Sequence, residues 1–154
     1  MKDTSPNPQQ TSLIFKYFNE IGIISQLSAA MFERNLPHGL NSSQFSVLNW
    51  FTRVDTQATP GRLANAFQVT PGAMTNTLKK LQGKGFVDIK PDSQSGRSKL
   101  VTLTPQGAAA REAAIATAVP AFQDFAATFD VESLSMQLKD LEKVRAYLDE
   151  SRYK

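Results

Sequence analysis

Three side chains suited to binding a polyanion lie close together, and a fourth follows in a polar stretch. Asn76, Lys79 and Lys80 fall within one short segment, and Arg97 stands in residues 91–98, which contain no large apolar side chain. An amide can donate and accept hydrogen bonds at once, as the edges of nucleic acid bases require, whereas ammonium and guanidinium groups bind phosphates. The residue types therefore indicate recognition of nucleic acid, provided that the chain presents them on one surface.

Two short helices are predicted around the first three of these residues. Residues 59–61 and 70–72 both have the sequence Thr-Pro-Gly. The hydroxyls of Thr59 and Thr70 can cap a helix N-terminus, and a proline at the first helical position costs little because the missing N–H would be unpaired there. The spacing predicts helices at about 60–68 and 71–83, with only a tight turn between them.

The apolar residues of both helices fall on one face. The predicted inward residues are Leu63, Ala64 and Phe67 in the first helix and Met74, Leu78 and Leu81 in the second. The opposite face of the second helix holds Gly72, Asn76 and Lys79, flanked by Ala73, Thr75 and Lys80. A helix that enters the major groove needs small residues at its start and cations further along. The alternative is an ordinary solvated helix face.

A strand pair is predicted after the second helix. Residues 86–90 and 99–103 alternate between apolar and polar side chains, and residues 91–98 would form a projecting loop with Arg97 at its tip. An arginine on such a loop, with Lys99 behind it, suits the narrow and electronegative minor groove of DNA. In the alternative interpretation, Arg97 is simply a soluble residue of a turn.

Charge is concentrated in the same segment. Residues 59–99 contain seven Lys or Arg and two Asp, a net charge of +5, whereas the whole chain of 154 residues carries +3. Such a local excess is what phosphate contacts require. Charge alone does not distinguish DNA from RNA or from an acidic protein.

The sequence resembles the MarR-type winged helix-turn-helix transcriptional regulators over most of its length. The resemblance rests on Leu-Asn-Ser-Ser-Gln-Phe-Ser-Val-Leu at 40–48, Ala-Met-Thr-Asn at 73–76, Leu81 followed by Gly-Phe-Val at 85–87, and Arg97 followed by Lys-Leu-Val-Thr-Leu-Thr-Pro-Gln-Gly at 99–107. The chain has Ser95 and Gly96 where the family often has an acid and a base, and Gln82 where an acid is common. The resemblance implies that Thr70, Pro71 and the exposed recognition-helix residues contact DNA.

Both ends of the chain are predicted to be helical and to form a dimerisation lobe. Residues 12–36 and 105–152 are assigned to this lobe, and residues 41–104 to the DNA-binding lobe of one domain spanning 1–154. The predicted dimer contacts are Phe15, Phe18, Leu134, Leu138, Leu141 and Leu148, the leucines at a spacing close to that of a coiled coil. An intramolecular core could also absorb them. The expected fold class is mainly α with a small β-hairpin wing.

A third Thr-Pro pair, Thr104 and Pro105, predicts another helix, which Pro120 should kink or interrupt. Phe122, Phe125 and Phe129 follow as a stripe that we interpret as core rather than as a ligand site. The family resemblance implies a cleft for small aromatic or phenolic acids. Its candidate lining residues, each of which also has an explanation as core, are Phe18, His38, Phe45, Trp50 and Phe122.

Catalysis is not expected. The chain has no cysteine, and its single histidine, His38, has no carboxylate cluster beside it, so neither a metal site nor a nucleophile with its base is predicted. No cofactor is predicted either. Residues 1–12 are polar and are expected to be a frayed tail without a signal peptide, which points to the cytoplasm, and no membrane span is expected.

The combined prediction is a homodimeric regulator that binds a palindromic operator in double-stranded DNA. We expect a repressor that a small aromatic or phenolic effector releases. The alternative function is a winged-helix interaction module whose basic face binds an acidic protein partner.

Overall fold

The computed structural model describes residues 5–152, which form a mainly helical chain with a three-stranded antiparallel sheet. The elements in chain order are α1 (Pro8–Glu33), α2 (Ser42–Arg53), β1 (Gln57–Ala58), α3 (Pro60–Phe67), α4 (Pro71–Gly83), β2 (Val87–Asp92), β3 (Ser95–Leu103), α5 (Pro105–Thr117), α6 (Val119–Thr128) and α7 (Val131–Ser151). The fold class predicted from the sequence is confirmed.

All three Thr-Pro helix starts are confirmed. The hydroxyls of Thr59, Thr70 and Thr104 each accept a hydrogen bond from a backbone N–H three residues on, at 3.2, 3.1 and 3.0 Å. The prediction of a frayed tail was wrong in part, because α1 already begins at Pro8. Asn7 and Gln10 form a capping box that satisfies the first N–H groups of α1. Residues 1–4 of the expected tail lie outside the described residues.

One apolar core lies under α2, α3, α4 and the sheet. Its fully buried side chains are Val47, Leu48, Leu63, Leu78, Leu81 and Val101. The close approach of α5 to this body depends on Gly107, since a Cβ there would lie 2.0 Å from the carbonyl oxygen of Phe86. The body formed by α2, α3, α4 and the sheet therefore has its own packed interior, to which α5 is joined.

The sheet is larger than the sequence predicted. β3 pairs with β2 on one side and with β1 on the other, and β1 was not predicted. Both strands of the hairpin run further than 86–90 and 99–103, so that only Ser93 and Gln94 remain as the turn. Sequence periodicity detects a strand by its apolar face. Here the backbone pairing continues through residues whose side chains are not buried, so periodicity does not detect the extension.

The predicted interruption at Pro120 is confirmed. α5 ends at Thr117, and Pro120 lies in the first turn of α6, where its missing N–H is tolerated. The core interpretation of the phenylalanine stripe was wrong for the isolated chain. Phe122, Phe125 and Phe129 are 40%, 45% and 54% exposed.

The terminal helices pack little of their apolar surface within the chain. None of the residues of α1, α6 or α7 is buried. Two polar contacts nevertheless connect α7 and the residue that follows it to α2 and α3. Arg53 at the end of α2 lies 3.6 Å from Glu142, and Arg152 donates a hydrogen bond to the backbone carbonyl of Asn65 in α3.

Candidate nucleic-acid interface

The outward face of α4 carries the residues that the sequence predicted for it. Met74, Leu78 and Leu81 are buried, whereas Gly72, Asn76 and Lys79 on the opposite side are exposed. Thr70, Pro71, Ala73, Thr75 and Lys80, the other candidates near or on this helix, are exposed as well. The helix therefore presents small residues at its N-terminal end, an amide in the middle and two ammonium groups later.

Gly72 is not required by the internal packing of the protein. A Cβ built at this position meets nothing within 4 Å, and the same holds for Gly61 at the equivalent position of α3. Glycine in a helix costs roughly 0.5–1 kcal/mol relative to alanine. A small residue at an exposed helix start is therefore consistent with the close approach of an external surface.

The wing positions Arg97 differently from the prediction. Along the hairpin, Pro91 pairs with Lys99 but Asp92 pairs with Ser95, so residues 96–98 of β3 have no partner on β2. Arg97 thus lies in a bulge within β3 and not at the tip of a free loop. The turn itself is held by Asp92, whose carboxylate accepts a hydrogen bond from the N–H of Gln94 at 2.9 Å. Bulges of this kind redirect side chains beside functional sites.

The bulge places Arg97 on a cleft between α4 and the wing. The cleft has a volume of about 720 Å³, and the N-terminal end of α3 forms its third side. Its lining residues are Thr59, Pro60, Gly61, Thr75, Leu78, Lys79, Gln82, Ile89, Lys90, Pro91, Arg97, Ser98 and Lys99. Four of them are cationic and none is acidic. This basic cleft, as we call it below, is suited to a negatively charged strand.

The cations of residues 59–99 fall into two groups. Arg62 pairs with Asp55, Lys84 donates a hydrogen bond to the carbonyl of His38 at 2.8 Å, and Lys90 lies 3.1 Å from Asp88. The other four are Lys79, Lys80, Arg97 and Lys99. Within residues 5–152 these four make no ion pair and donate no side-chain hydrogen bond, so their charges are available to a ligand.

The Arg62 pair perturbs one carboxyl group. The hydrogen bond from the Arg62 side chain lowers the pKa of Asp55, with a smaller contribution from the backbone of Gln57, against a partial opposing effect of desolvation. The guanidinium also lies 5.1 Å from the centre of the Trp50 ring. Arg62 is therefore held against the body of the lobe by two contacts.

Sequence reasoning missed Lys90 and Gln82 as lining residues of the basic cleft. Lys90 follows Asp88 on the same face of β2, and this alternation could have placed it toward α4 if the strand's orientation had been known. Gln82 lies on α4 one turn after Leu78, which also lines the cleft. No local signal shows that this edge of the helix faces the wing.

The five candidate effector-binding residues do not line this cleft. His38 packs edge-on against Phe86, Trp50 lies against Phe51 and Arg62, and Phe122 packs against Phe32. Phe18 is 43% exposed on α1, and Phe45 is half-buried on α2. The structure thus gives these rings separate neighbours, and their shared role stays a prediction.

The six candidate dimer residues lie on α1 and α7. Phe15 is 72% exposed and Phe18 is 43% exposed, while Leu138, Leu141 and Leu148 are 45%, 42% and 44% exposed. Leu134 is half-buried. Apolar side chains left open at both ends of the chain form a surface that a second subunit could cover.

Residues 5–152 contain neither a membrane-spanning helix nor a metal-binding cluster. No helix in this part of the chain is long and apolar enough to cross a bilayer. No cluster of three or more His, Asp or Glu side chains there could hold a metal ion.

Comparison with known proteins gives the same architecture. Residues 38–98, which include the recognition helix and most of the wing, match the model of the MarR family. An uncharacterised HTH-type transcriptional regulator of Mycobacterium leprae is 33% identical over 85 residues, which are 55% of this chain and 59% of that protein. The chain therefore spans about three fifths of the length of this curated relative.

Two solved structures cover more of the chain. The regulator BldR of Sulfolobus solfataricus superimposes with a TM-score of 0.73 and 26% identity over 90% of this chain and 98% of that one. A cysteine-to-serine mutant of E. coli MarR, in complex with operator DNA, superimposes with a TM-score of 0.64 and 26% identity over 85% and 94%. The likeness thus extends beyond the helix-turn-helix to the helical lobe.

Proposed function

We propose that the chain is a MarR-family, sequence-specific regulator of transcription that binds double-stranded DNA. The observation that carries the proposal is the basic cleft beside the exposed face of α4. It brings together Lys79, Arg97 and Lys99 from two separate elements, with no acidic side chain among its lining residues.

In the proposed complex α4 enters the major groove. Gly72 and Ala73 let the start of the helix approach the base pairs, and Asn76 offers an amide to a base edge, with adenine as its best partner. Lys79 and Lys80 stand later on the helix, where phosphates are the nearer groups. The wing reaches the adjacent minor groove with Arg97. The basic cleft then follows the sugar-phosphate strand that separates the two grooves.

We propose that the working form is a homodimer on a palindromic operator. The support is the apolar surface of α1, α6 and α7, which the described chain leaves without a covering partner. Two recognition helices related by a two-fold axis read half-sites about one helical turn or more apart. Their spacing is set by the dimer lobe, so its geometry controls affinity for DNA.

We further propose that the protein is a cytoplasmic repressor without enzymatic activity and that a small aromatic or phenolic acid releases it from DNA. The candidate contacts are Phe18, His38, Phe45, Trp50 and Phe122. An effector can release DNA only in proportion to its preference for the dimer geometry that binds DNA poorly, typically about 1–3 kcal/mol of coupling. Calorimetry should show that the operator-bound dimer takes up an effector more weakly than the free dimer by the same factor. Equal affinities for a releasing compound would contradict the mechanism.

The DNA-binding proposal is tested by selecting genomic fragments with the purified protein and then titrating the recovered duplex against a scrambled duplex of equal composition. A preference of roughly a thousandfold or more is expected for a specific regulator. Equal binding to both duplexes, together with salt-sensitive capture of an acidic protein by the same surface, would support the protein-interaction alternative instead.

A further inference from the structure

We propose that Lys84 is a positioning residue that connects the recognition helix α4 to the helical lobe, and not a phosphate contact. The inference rests on the proposed function of α4. Lys84 belongs to the basic segment by sequence, so charge alone would group it with Lys79 and Lys80. Its ammonium group, however, donates a hydrogen bond to the backbone carbonyl of His38, 46 residues earlier in the chain.

The loop between α1 and α2 is shaped to receive this ammonium group. His38 and Gly39 both adopt left-handed backbone conformations, with φ of 59° and 66°. A Cβ at Gly39 would lie 3.3 Å from the Lys84 nitrogen, so the ammonium packs directly over the glycine. Because only glycine adopts such a φ at little cost, a larger residue there would be strained and would crowd the lysine.

A second contact joins the same loop to the segment that follows α4. The His38 ring packs edge-on against Phe86, with 5.8 Å between the ring centres, and Phe86 is buried. Leu40, at the end of the loop, is buried in the core. Lys84 and Phe86 both follow α4 directly, so the loop is fixed to the C-terminal end of the recognition helix.

The backbone around Lys84 is itself well fixed. Its N–H donates to the carbonyl of Lys80 at 3.2 Å as the helix ends, and the N–H of Phe86 donates to the carbonyl of Leu81 at 3.0 Å. The backbone that carries the exposed Lys84 side chain therefore moves with α4, and the hydrogen bond to His38 connects it to the loop.

The other end of the connection reaches α1. Residues 34–41 join α1 to α2, and the carboxylate of Glu33 in the last turn of α1 accepts a hydrogen bond from the N–H of Ser42 at 3.3 Å. This loop is therefore one route by which a shift of α1 reaches the body formed by α2, α3 and α4. Through His38 and Lys84, the same shift reaches the end of the helix that reads DNA.

The test compares Lys84→Met with Lys80→Met in the full-length dimer on the selected operator. Methionine keeps the apolar stem of lysine and removes the charge. We expect Lys84→Met to weaken operator binding roughly three- to tenfold and to lower the preference for the natural half-site spacing over spacings altered by one base pair. The salt slope is the change of log affinity with log salt concentration. For Lys84→Met this slope should equal that of the wild type, whereas Lys80→Met should reduce it by about one per subunit. Lys84→Arg should restore binding.

Two results would overturn the proposal. One is a reduced salt slope in Lys84→Met with an unchanged spacing preference, since this identifies a phosphate contact. The other is additivity with Gly39→Ala, which disturbs the loop without a change of charge; contacting residues should instead show non-additive effects. Circular dichroism and sedimentation show whether each variant is folded and dimeric. A wild-type protein that does not prefer the operator would reject the proposed function itself, which is a different outcome.

Discussion

Arg62 of α3 donates a hydrogen bond to the Asp55 carboxylate, with 2.5 Å between Nη1 and Oδ2, and thereby fixes the start of α3 to the segment that follows α2. The pair is partly exposed, and the guanidinium also lies over the Trp50 ring. Arg62, which the sequence places at the edge of the proposed DNA-binding surface, therefore already has an anionic partner. Its side chain is thus engaged by contacts within the chain.

The Arg62 pair predicts a pH dependence of stability. Because the pKa of Asp55 is lowered in the folded chain, the pair stabilises the protein above the ordinary Asp value of 3.8 and loses its effect as the pH falls through the lower folded value. The urea midpoint of Asp55→Asn should lie below that of the wild type at pH 7, and the difference should shrink toward pH 3. A difference that stays constant with pH would show that the charge of Asp55 contributes nothing.

Asn76 is predicted to read a base. Asn76→Ala should cost roughly 1–3 kcal/mol on the selected operator and relax the preference at one base pair of each half-site. Binding to scrambled DNA should barely change, because the amide carries no charge. Competition titrations with operators altered one base pair at a time measure this effect. Equal losses on the operator and on scrambled DNA would assign Asn76 to the backbone instead.

Lys79 and Lys80 are predicted to bind phosphates. Replacing either by alanine should weaken all DNA sequences alike and lower the salt slope by about one for each lost contact in a subunit. Lys139→Ala is a suitable control, since it removes an exposed positive charge on α7, away from the proposed DNA-binding surface. Mobility-shift titrations at several salt concentrations provide the slopes. The prediction fails for either lysine if its variant keeps the wild-type slope.

Arg97 tests the wing. In the bulge of β3 it lines the cleft beside the neighbouring groove of the proposed complex, so Arg97→Ala should act most strongly on operators with A·T-rich flanks and a narrow minor groove. The affected flanks should lie about one helical turn or more from the centre of the palindrome. Affinities for operators with A·T-rich and G·C-rich flanks decide the point. A variant that loses the same factor on both would place Arg97 on phosphates alone.

Leu141 tests the dimer lobe. Leu141→Glu would bury an unpaired charge in the proposed seam, at a cost of several kcal/mol. Dimer and operator affinity should fall together when sedimentation and mobility shift are measured on the same samples. Lys139→Ala is the matched control, because this residue is exposed on the same helix. A Leu141→Glu protein that stays dimeric and binds normally would remove α7 from the interface.

Local features of the sequence were sufficient for the helix-turn-helix. Threonine caps, prolines at the first helical position and the spacing of Met74, Leu78 and Leu81 act within a few residues, so they predicted both helices and the exposed face of α4 correctly. The same reasoning found the interruption at Pro120. It also named four cations, Lys79, Lys80, Arg97 and Lys99, that have no partner in the described chain.

Other features depend on contacts between distant residues. The extension of the hairpin arises from backbone pairing between polar residues, which leaves no periodic signal, and β1 is only two residues long, too short to show a period. The capping box that starts α1 at Pro8, in contrast, is local, since it joins Asn7 to Gln10; it was missed because these polar residues were interpreted as a frayed tail.

The sequence by itself determined that α3 and α4 form and which face of α4 is exposed, because capping and periodicity depend on near neighbours. Only the tertiary structure decided which of the seven cations of residues 59–99 have partners within the chain and which are available to bind a ligand. Arg62 meets Asp55 seven residues away, whereas Lys84 meets the carbonyl of His38 across 46 residues. A charged side chain takes whichever acceptor the fold brings within reach, and that acceptor can be a backbone carbonyl, which has no signature in the sequence.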